Sequence, residues 1–315
     1  MVDAAVRTAT THRDDDAPRI DVDRVNDLLL GTWADTRRTA REMIKDPAFW
    51  RMDELGKDEH RERVLSQLHL LVENKAVHRA FPKEFGGEAN NGANISGFEE
   101  LVAADPSLQI KAGVQWGLFG SAVLQLGTEE HHRKWLPGIM DLSIPGAFAM
   151  TEIGHGSDVA AAGTTATYDP ETEEFVINTP FRGATKEYLG NAALHGVAAT
   201  VFAQLITNGV SHGVHCFYVP LRGDDGADRH PLTPEPTPAQ QQARVELHDS
   251  RIRADVQPFL RCGFSHHTAS GGRIGWLHLT RGALLRGAAR AAHAVAVERR
   301  RDGRNGGALR NVAAA

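Results

Sequence analysis

The sequence predicts an α+β multidomain protein, with an N-terminal all-α helical domain followed by a small β-barrel or sandwich domain. Two observations lead to this. Up to Pro145 the apolar residues recur at helical spacing, and beyond it they alternate in short runs. Those runs are separated by Gly, Asn, Asp, Pro and Thr turn text, the punctuation of short antiparallel strands.

Taken in order, residues 1–19 are polar, rich in Thr and Asp, and read as a flexible arm. Residues 20–144 form the helical domain. Val25, Leu28, Leu29, Trp33, Met43 and Ile44 space an amphipathic helix over 21–44, stopped ahead of Pro47. Val64, Leu68, Leu71, Leu65 and Val72 do the same over 58–77, with Arg61, Glu62 and Arg63 on the solvated face. Phe81-Pro82-Lys83-Glu84-Phe85-Gly86-Gly87 breaks the helix, and 90–94 is turn-rich. Further helices are expected at 96–104, 108–126 and 129–142, the last capped by Thr128.

Residues 145–255 form the β domain. Strands are expected at 146–150, 164–168, 174–178, 197–205, 213–220 and 244–248, with Asp169-Pro170-Glu171-Thr172 as a turn. Pro231 to Pro238 is a Pro-rich linker. Residues 256–315 are a degenerate or truncated segment, with one or two Ala-rich helices over 277–301.

A net charge of −5 argues against nucleic acid as the main partner. Two cysteines, Cys216 and Cys262, make no disulfide framework and suit a reducing compartment. No apolar run is long enough to span a bilayer. The first residues lack the apolar centre of a signal peptide, and the terminal Asn311-Val312-Ala313-Ala314-Ala315 is no peroxisomal address. A cytoplasmic protein is expected.

The chemistry concentrates between Gly146 and Asn191. Gly154 and Gly156 let backbone N–H groups approach a ligand, and Thr151 and Ser157 add hydroxyls. Other candidates have plainer readings. His155, Ser157 and Asp158 are too close in sequence to form a hydrolase relay. The pairs His131-His132 and His266-His267 read as exposed polar residues, not metal ligands. Glu99, Glu100, Glu129 and Glu130 read as solvated helix charges, and Lys186 and Glu187 as a surface pair of small value. Arg299 to Arg301 reads as a disordered basic tail, and Cys216 as packed rather than reactive.

The ordered text is more specific than its parts. Thr151-Glu152-Ile153-Gly154-His155-Gly156-Ser157-Asp158 resembles the Thr-Glu-x-x-x-Gly-Ser-Asp loop of the acyl-CoA dehydrogenase and acyl-CoA oxidase flavoprotein superfamily. The segments 164–172 and 202–207 look like the oxidase branch, and Phe81 to Gly87 and Leu126 to Glu130 fit the helical domain ahead of it. The resemblance covers about residues 20–222. After Arg222 the text departs, so a truncated, frame-shifted member is expected, with the family's C-terminal helical domain largely missing.

The resemblance implies an FAD-dependent oxidoreductase acting on a CH–CH group. It would oxidise fatty acyl-CoA to trans-2-enoyl-CoA in β-oxidation and pass electrons to O₂. It implies cofactor contacts from Met150, Thr151, Gly156, Ser157, Tyr188 and Gly190, no metal, and a homo-oligomer whose interface domain is missing here. The family's catalytic glutamate has no match in this chain, so no catalytic residue is assigned. Two alternatives stay open: a non-catalytic flavin- or acyl-CoA-binding remnant, and a dehydrogenase using an electron-transfer partner.

Overall fold

The computed structural model describes residues 20–222 and 250–253. The helical part runs α1 (Val22–Leu30), α2 (Ala34–Met43), α3 (Lys57–Glu73), α4 (Asn91–Glu100), α5 (Pro106–Ala112), α6 (Ser121–Leu126) and α7 (Glu129–Met140). Gly113–Gly120 joins α5 to α6 as a π-helical stretch, so 106–126 is one continuous rod with a widened middle. The helix expected over 21–44 is divided by a short 3₁₀ turn at Gly31–Trp33, where Gly31 takes φ +68°, a value glycine tolerates without strain. Asp21 and Thr128 cap α1 and α7, and Asp105 caps α5 through Ser107.

The apolar stripe expected of the first helix is only partly used. Leu30 is buried, but Val22, Leu28 and Leu29 are more than 70% exposed among the described residues. The main core instead joins α3 (Leu68, Leu71), the long rod (Leu108, Phe119, Val123) and α7 (Leu136, Ile139).

Among the described residues six strands follow: β1 (Gly146–Ala149), β2 (Thr165–Asp169), β3 (Glu174–Asn178), β4 (Ala198–Thr207), β5 (Val210–Pro220) and β6 (Ser250–Arg253). β4 is the axis. Its first half pairs in parallel with β1, its second half in parallel with β2, and its other edge is antiparallel to β5. β3 then pairs with β2 and β6. One strand serving two neighbours on the same edge makes the sheet curl. The strand expected over 244–248 lies outside the described residues, and the one that closes this edge is β6.

Alternation along β4 joins the two parts of the protein. Ala198 and Phe202 pack into the helical core with Trp116 and Phe119, whereas Ala199, Val201 and Ala203 pack with Ile177 and Phe217 on the other side. Both faces of β4 are therefore buried. Tyr218 on β5 stacks on Trp135 of α7 at 4.0 Å, and His131 stacks on the same indole at 5.1 Å. His131 is thus buried, not the exposed polar residue expected, because its Nδ1 accepts the Thr128 N–H while its ring covers Trp135.

Candidate functional site

Beyond β1 the chain does not simply loop out. Residues 151–154 run antiparallel to 183–187. The Glu187 N–H donates to Thr151 O at 3.2 Å, Ile153 N–H to Thr185 O at 3.2 Å and Gly154 N–H to Gly183 O at 2.8 Å. The Thr151 hydroxyl donates to Glu187 O. Gly154 therefore has no N–H to offer a ligand. Its role is close packing, since an added Cβ would sit 2.9 Å from Gly183 O. Gly156, at φ +55° with open space around it, turns the exposed loop that carries Ser157.

An ion pair lies beneath this ladder. Glu152 and Lys186 face each other across it, with Lys186 Nζ 2.8 Å from Glu152 Oε1. Lys186 also donates to Met150 O at 3.2 Å and Phe202 O at 2.7 Å. Glu152 also accepts from Gly163 N–H (2.7 Å), Thr164 N–H (3.1 Å) and the Thr164 hydroxyl (2.6 Å). The expected surface pair of Lys186 with Glu187 is thus replaced by a buried pair with Glu152. The ladder's alternation turns Lys186 inward and leaves Glu187 outside. Burial pushes the Glu152 carboxyl up, but Lys186 and the Thr164 and Gly163 donors outweigh it and hold the group below the usual carboxylate range.

Past Lys186 the backbone emerges sharply. Tyr188 (φ +60°) and Asn191 (φ +71°) are both left-handed, and Tyr188 is 67% exposed. Gly190 passes so close to the π-helical stretch that a Cβ would stand 2.8 Å from Val114 Cγ2. Between this loop and the long rod lies a cleft of about 570 Å³, lined by Tyr188 to Asn191 and Ala193 to His195 on one side. Ile110, Lys111, Val114 and Arg61 line the other side.

Of the six residues expected at the cofactor, Tyr188 and Gly190 line this cleft. Thr151 is tied to the same loop through Glu187, Met150 lies half-buried against the core, and Gly156 and Ser157 are exposed on the adjoining turn. The residues suit a flat, hydrogen-bonding aromatic group: a projecting Tyr ring, a side-chain-free Gly190, and a turn of exposed backbone at Gly156. Among the described residues no group of three or more His, Cys, Asp or Glu is placed to hold a metal ion.

Sequence reasoning passed over a second set on the cleft. Lys111 Nζ is 2.5 Å from His195 Nδ1, and His195 Nε2 is 2.9 Å from Glu62 Oε1. Burial lowers Lys111 to about 8, with Arg61 adding to the effect and Glu62 opposing it. The one signal for it is a lysine set between Ile110 and Val114 in an apolar helix.

A helical domain feeding a curled sheet is an architecture shared with acyl-CoA oxidases of known structure. Residues 34–143 match the acyl-CoA dehydrogenase N-terminal domain and residues 147–250 its middle domain. The chain belongs to the acyl-CoA dehydrogenase and oxidase family. It is 47% identical over 176 residues to the peroxisomal acyl-coenzyme A oxidase 2 of Arabidopsis thaliana, covering 54% of this chain and 25% of that protein.

The acyl-CoA oxidase 1 structure of the same plant superposes with a TM-score of 0.60 at 27% identity, over 76% of this chain and 37% of that one. An acyl-CoA dehydrogenase from Bacillus anthracis, solved in complex with FAD, shares the fold with a TM-score of 0.56 at 21% identity. That superposition covers 71% of this chain and 36% of that one. The chain spans about a quarter of the length of the first curated relatives it matches. The middle-domain match runs to residue 250, past Arg222, where the sequence resemblance weakens. The plant relatives are named peroxisomal, which lends no support to the cytoplasmic expectation. No helix among the described residues is long and apolar enough to cross a membrane.

Proposed function

We propose that this chain supplies the helical and sheet portions of an FAD-dependent acyl-CoA oxidase, acting on fatty acyl-CoA in β-oxidation with O₂ as electron acceptor. The observation that carries the reading is the ladder joining Thr151 to Glu187. It brings the two loops that resemble the family's cofactor contacts to one edge of the sheet, beside the cleft. Bound FAD would supply the redox chemistry of the site, as acceptor for the hydride of the acyl β-carbon.

The chain's own residues would hold and orient. Tyr188 presents an aromatic face and Gly190 adds bare backbone to the cleft wall. Thr151 and Met150 offer polar and backbone groups at one edge, and the turn at Gly156 and Ser157 offers donors to phosphate. Ile110, Val114, Leu189 and Leu194 give the cleft an apolar lining suited to an acyl chain.

The test is the purified full chain. Flavin absorbance at about 450 nm that stays with the protein through gel filtration, and peroxide release on adding acyl-CoA, support the oxidase reading. Retained flavin without peroxide supports the binding-only alternative. Peroxide-free turnover with an added electron carrier supports the dehydrogenase. A colourless protein that takes up no FAD overturns all three.

A further inference from the structure

The chain of side chains on the cleft is not used by the reading above. Glu62 comes from α3, Lys111 from α5 and His195 from the loop ahead of β4, so three separated segments converge. The Glu62 carboxylate accepts at His195 Nε2, which places the ring hydrogen there and leaves the Nδ1 lone pair facing Lys111 Nζ. Carboxylate, imidazole and amine thus stand in the order that activates a nucleophile.

The local charges favour the same role. Lys111 meets Glu62 and Arg61 besides the imidazole, and burial dominates, lowering the amine to about 8. His195 is lowered by burial, against its hydrogen bond to Glu62, with Lys111 and Arg222 lowering it further. At pH 8 about half of such an amine is neutral, against roughly 0.3% of an ordinary lysine. Lys111 and His195 both line the cleft.

We propose that Lys111 is an acyl acceptor, attacking the carbonyl carbon of an acyl thioester held in this cleft to give an Nε-acyl-lysine. The proposal rests on the acyl-CoA reading of the cleft for its donor. In the step, Nζ forms the C–N bond and the C–S bond breaks. The amine proton passes to His195 Nδ1, and the imidazolium returns it to the departing thiolate, so one thioester and one amine become one amide and one thiol.

The experiment is acylation of the full chain by acetyl-CoA at pH 8, with occupancy read by peptide mass spectrometry at Lys111 and at Lys45 in the same sample. Lys45 has a side chain 70% exposed and serves as the internal reference. Lys111 should be acetylated about a hundredfold faster or more, the lower end of what a positioned base contributes. His195→Asn should remove the preference. Glu62→Gln, at a largely exposed side chain, should reduce it several-fold with an unchanged circular dichroism spectrum.

A parallel arm uses S-acetyl-N-acetylcysteamine, a thioester without a nucleotide. Selective labelling by this donor with no gain from acetyl-CoA upholds the nucleophile and counts against CoA recognition. Equal labelling of Lys111 and Lys45 by both donors overturns the proposal.

Discussion

Lys186 and Glu152 form an ion pair with side chains 0% and 1% exposed, and every hydrogen bond either one makes besides it goes to a different part of the site. Lys186 holds the residue after β1 and the middle of β4 through Met150 O and Phe202 O, while Glu152 holds the residues just ahead of β2 through Gly163 and Thr164. Removing one partner strands the other charge in a dry setting. Lys186→Met should therefore cost about 3–5 kcal/mol, and Lys186→Met with Glu152→Gln distinctly less. Urea unfolding midpoints of the two variants check this. With Glu152→Gln measured alone as well, a double-variant loss equal to the sum of the two single losses would mean that the pair is not coupled.

The same pair sets a pH dependence. Glu152 is held below its ordinary value of 4.5 in the fold, so its contribution is fully present above that value. It is lost as the pH falls through the lower, folded-state value. The stability gap between the wild type and Glu152→Gln should hold from about pH 7 to about pH 5 and close in more acid solution. Thermal melts across that range measure the gap, and a gap that widened on acidification would reverse the assigned direction.

Gln115 performs a comparable task where the helices meet the sheet. It is fully buried, donates to Ile139 O at 3.2 Å and Ile144 O at 2.9 Å, and accepts the Gly146 N–H at 2.7 Å. Leucine has similar bulk but leaves the Gly146 N–H without that acceptor and withdraws a donor from both carbonyls. Gln115→Leu should destabilise by about 2–4 kcal/mol, since each stranded polar group costs about 1–3 kcal/mol. Chemical denaturation reads this directly. A loss under about 0.5 kcal/mol would show that the three bonds are dispensable.

Much of this architecture is legible in the residues. The change from helical to alternating spacing at Pro145 is real, and 174–178 is a strand as expected. The β1 to β5 text carries its period in Ala, Phe, Val and Ile, which alternate wherever they lie. What local text does not contain is pairing. β4 binding two strands on one edge follows from where β1 and β2 arrive, and no spacing rule encodes that. Lys186 and Glu152 are 34 residues apart, so their burial was invisible until the ladder of 151–154 on 183–187 set which side chains face inward. Glu100 is a similar case. It reads as a solvated helix charge, but Arg37 and Arg41 on α2 both bind it and its side chain is only 11% exposed. The exposed stripe of α1 fails in the other sense, since an apolar pattern shows which face wants cover but not what covers it.

Gly190 has a packing reason for being glycine apart from any ligand. An added methyl would lie 2.8 Å from Val114 Cγ2, and a β-branched side chain on a helix has few rotamers with which to retreat. Gly190→Ala should cost about 1–3 kcal/mol, typical of overpacking, and Val114→Ala in the same chain should recover most of it. A double-mutant cycle on thermal unfolding provides the check. If Val114→Ala gives no rescue, the loop is constrained by something other than this contact.

Tyr188 separates stability from binding. The residue is 67% exposed, so truncating it removes little packing, and Tyr188→Ala should change unfolding free energy by no more than about 0.5 kcal/mol. Its backbone stays at φ +60° in either case, and alanine bears that conformation about as poorly as tyrosine does. If the ring is a platform for the flavin, the same substitution should weaken FAD retention about tenfold, the loss of a stacking contact of roughly 1–1.5 kcal/mol. Fluorescence titration of the unloaded protein with FAD supplies the affinity, and circular dichroism confirms that the fold is kept. Tyr188→Trp should retain or strengthen binding, because it enlarges the aromatic face without altering the loop. Unchanged affinity in Tyr188→Ala would place the cofactor elsewhere and remove this residue from the site.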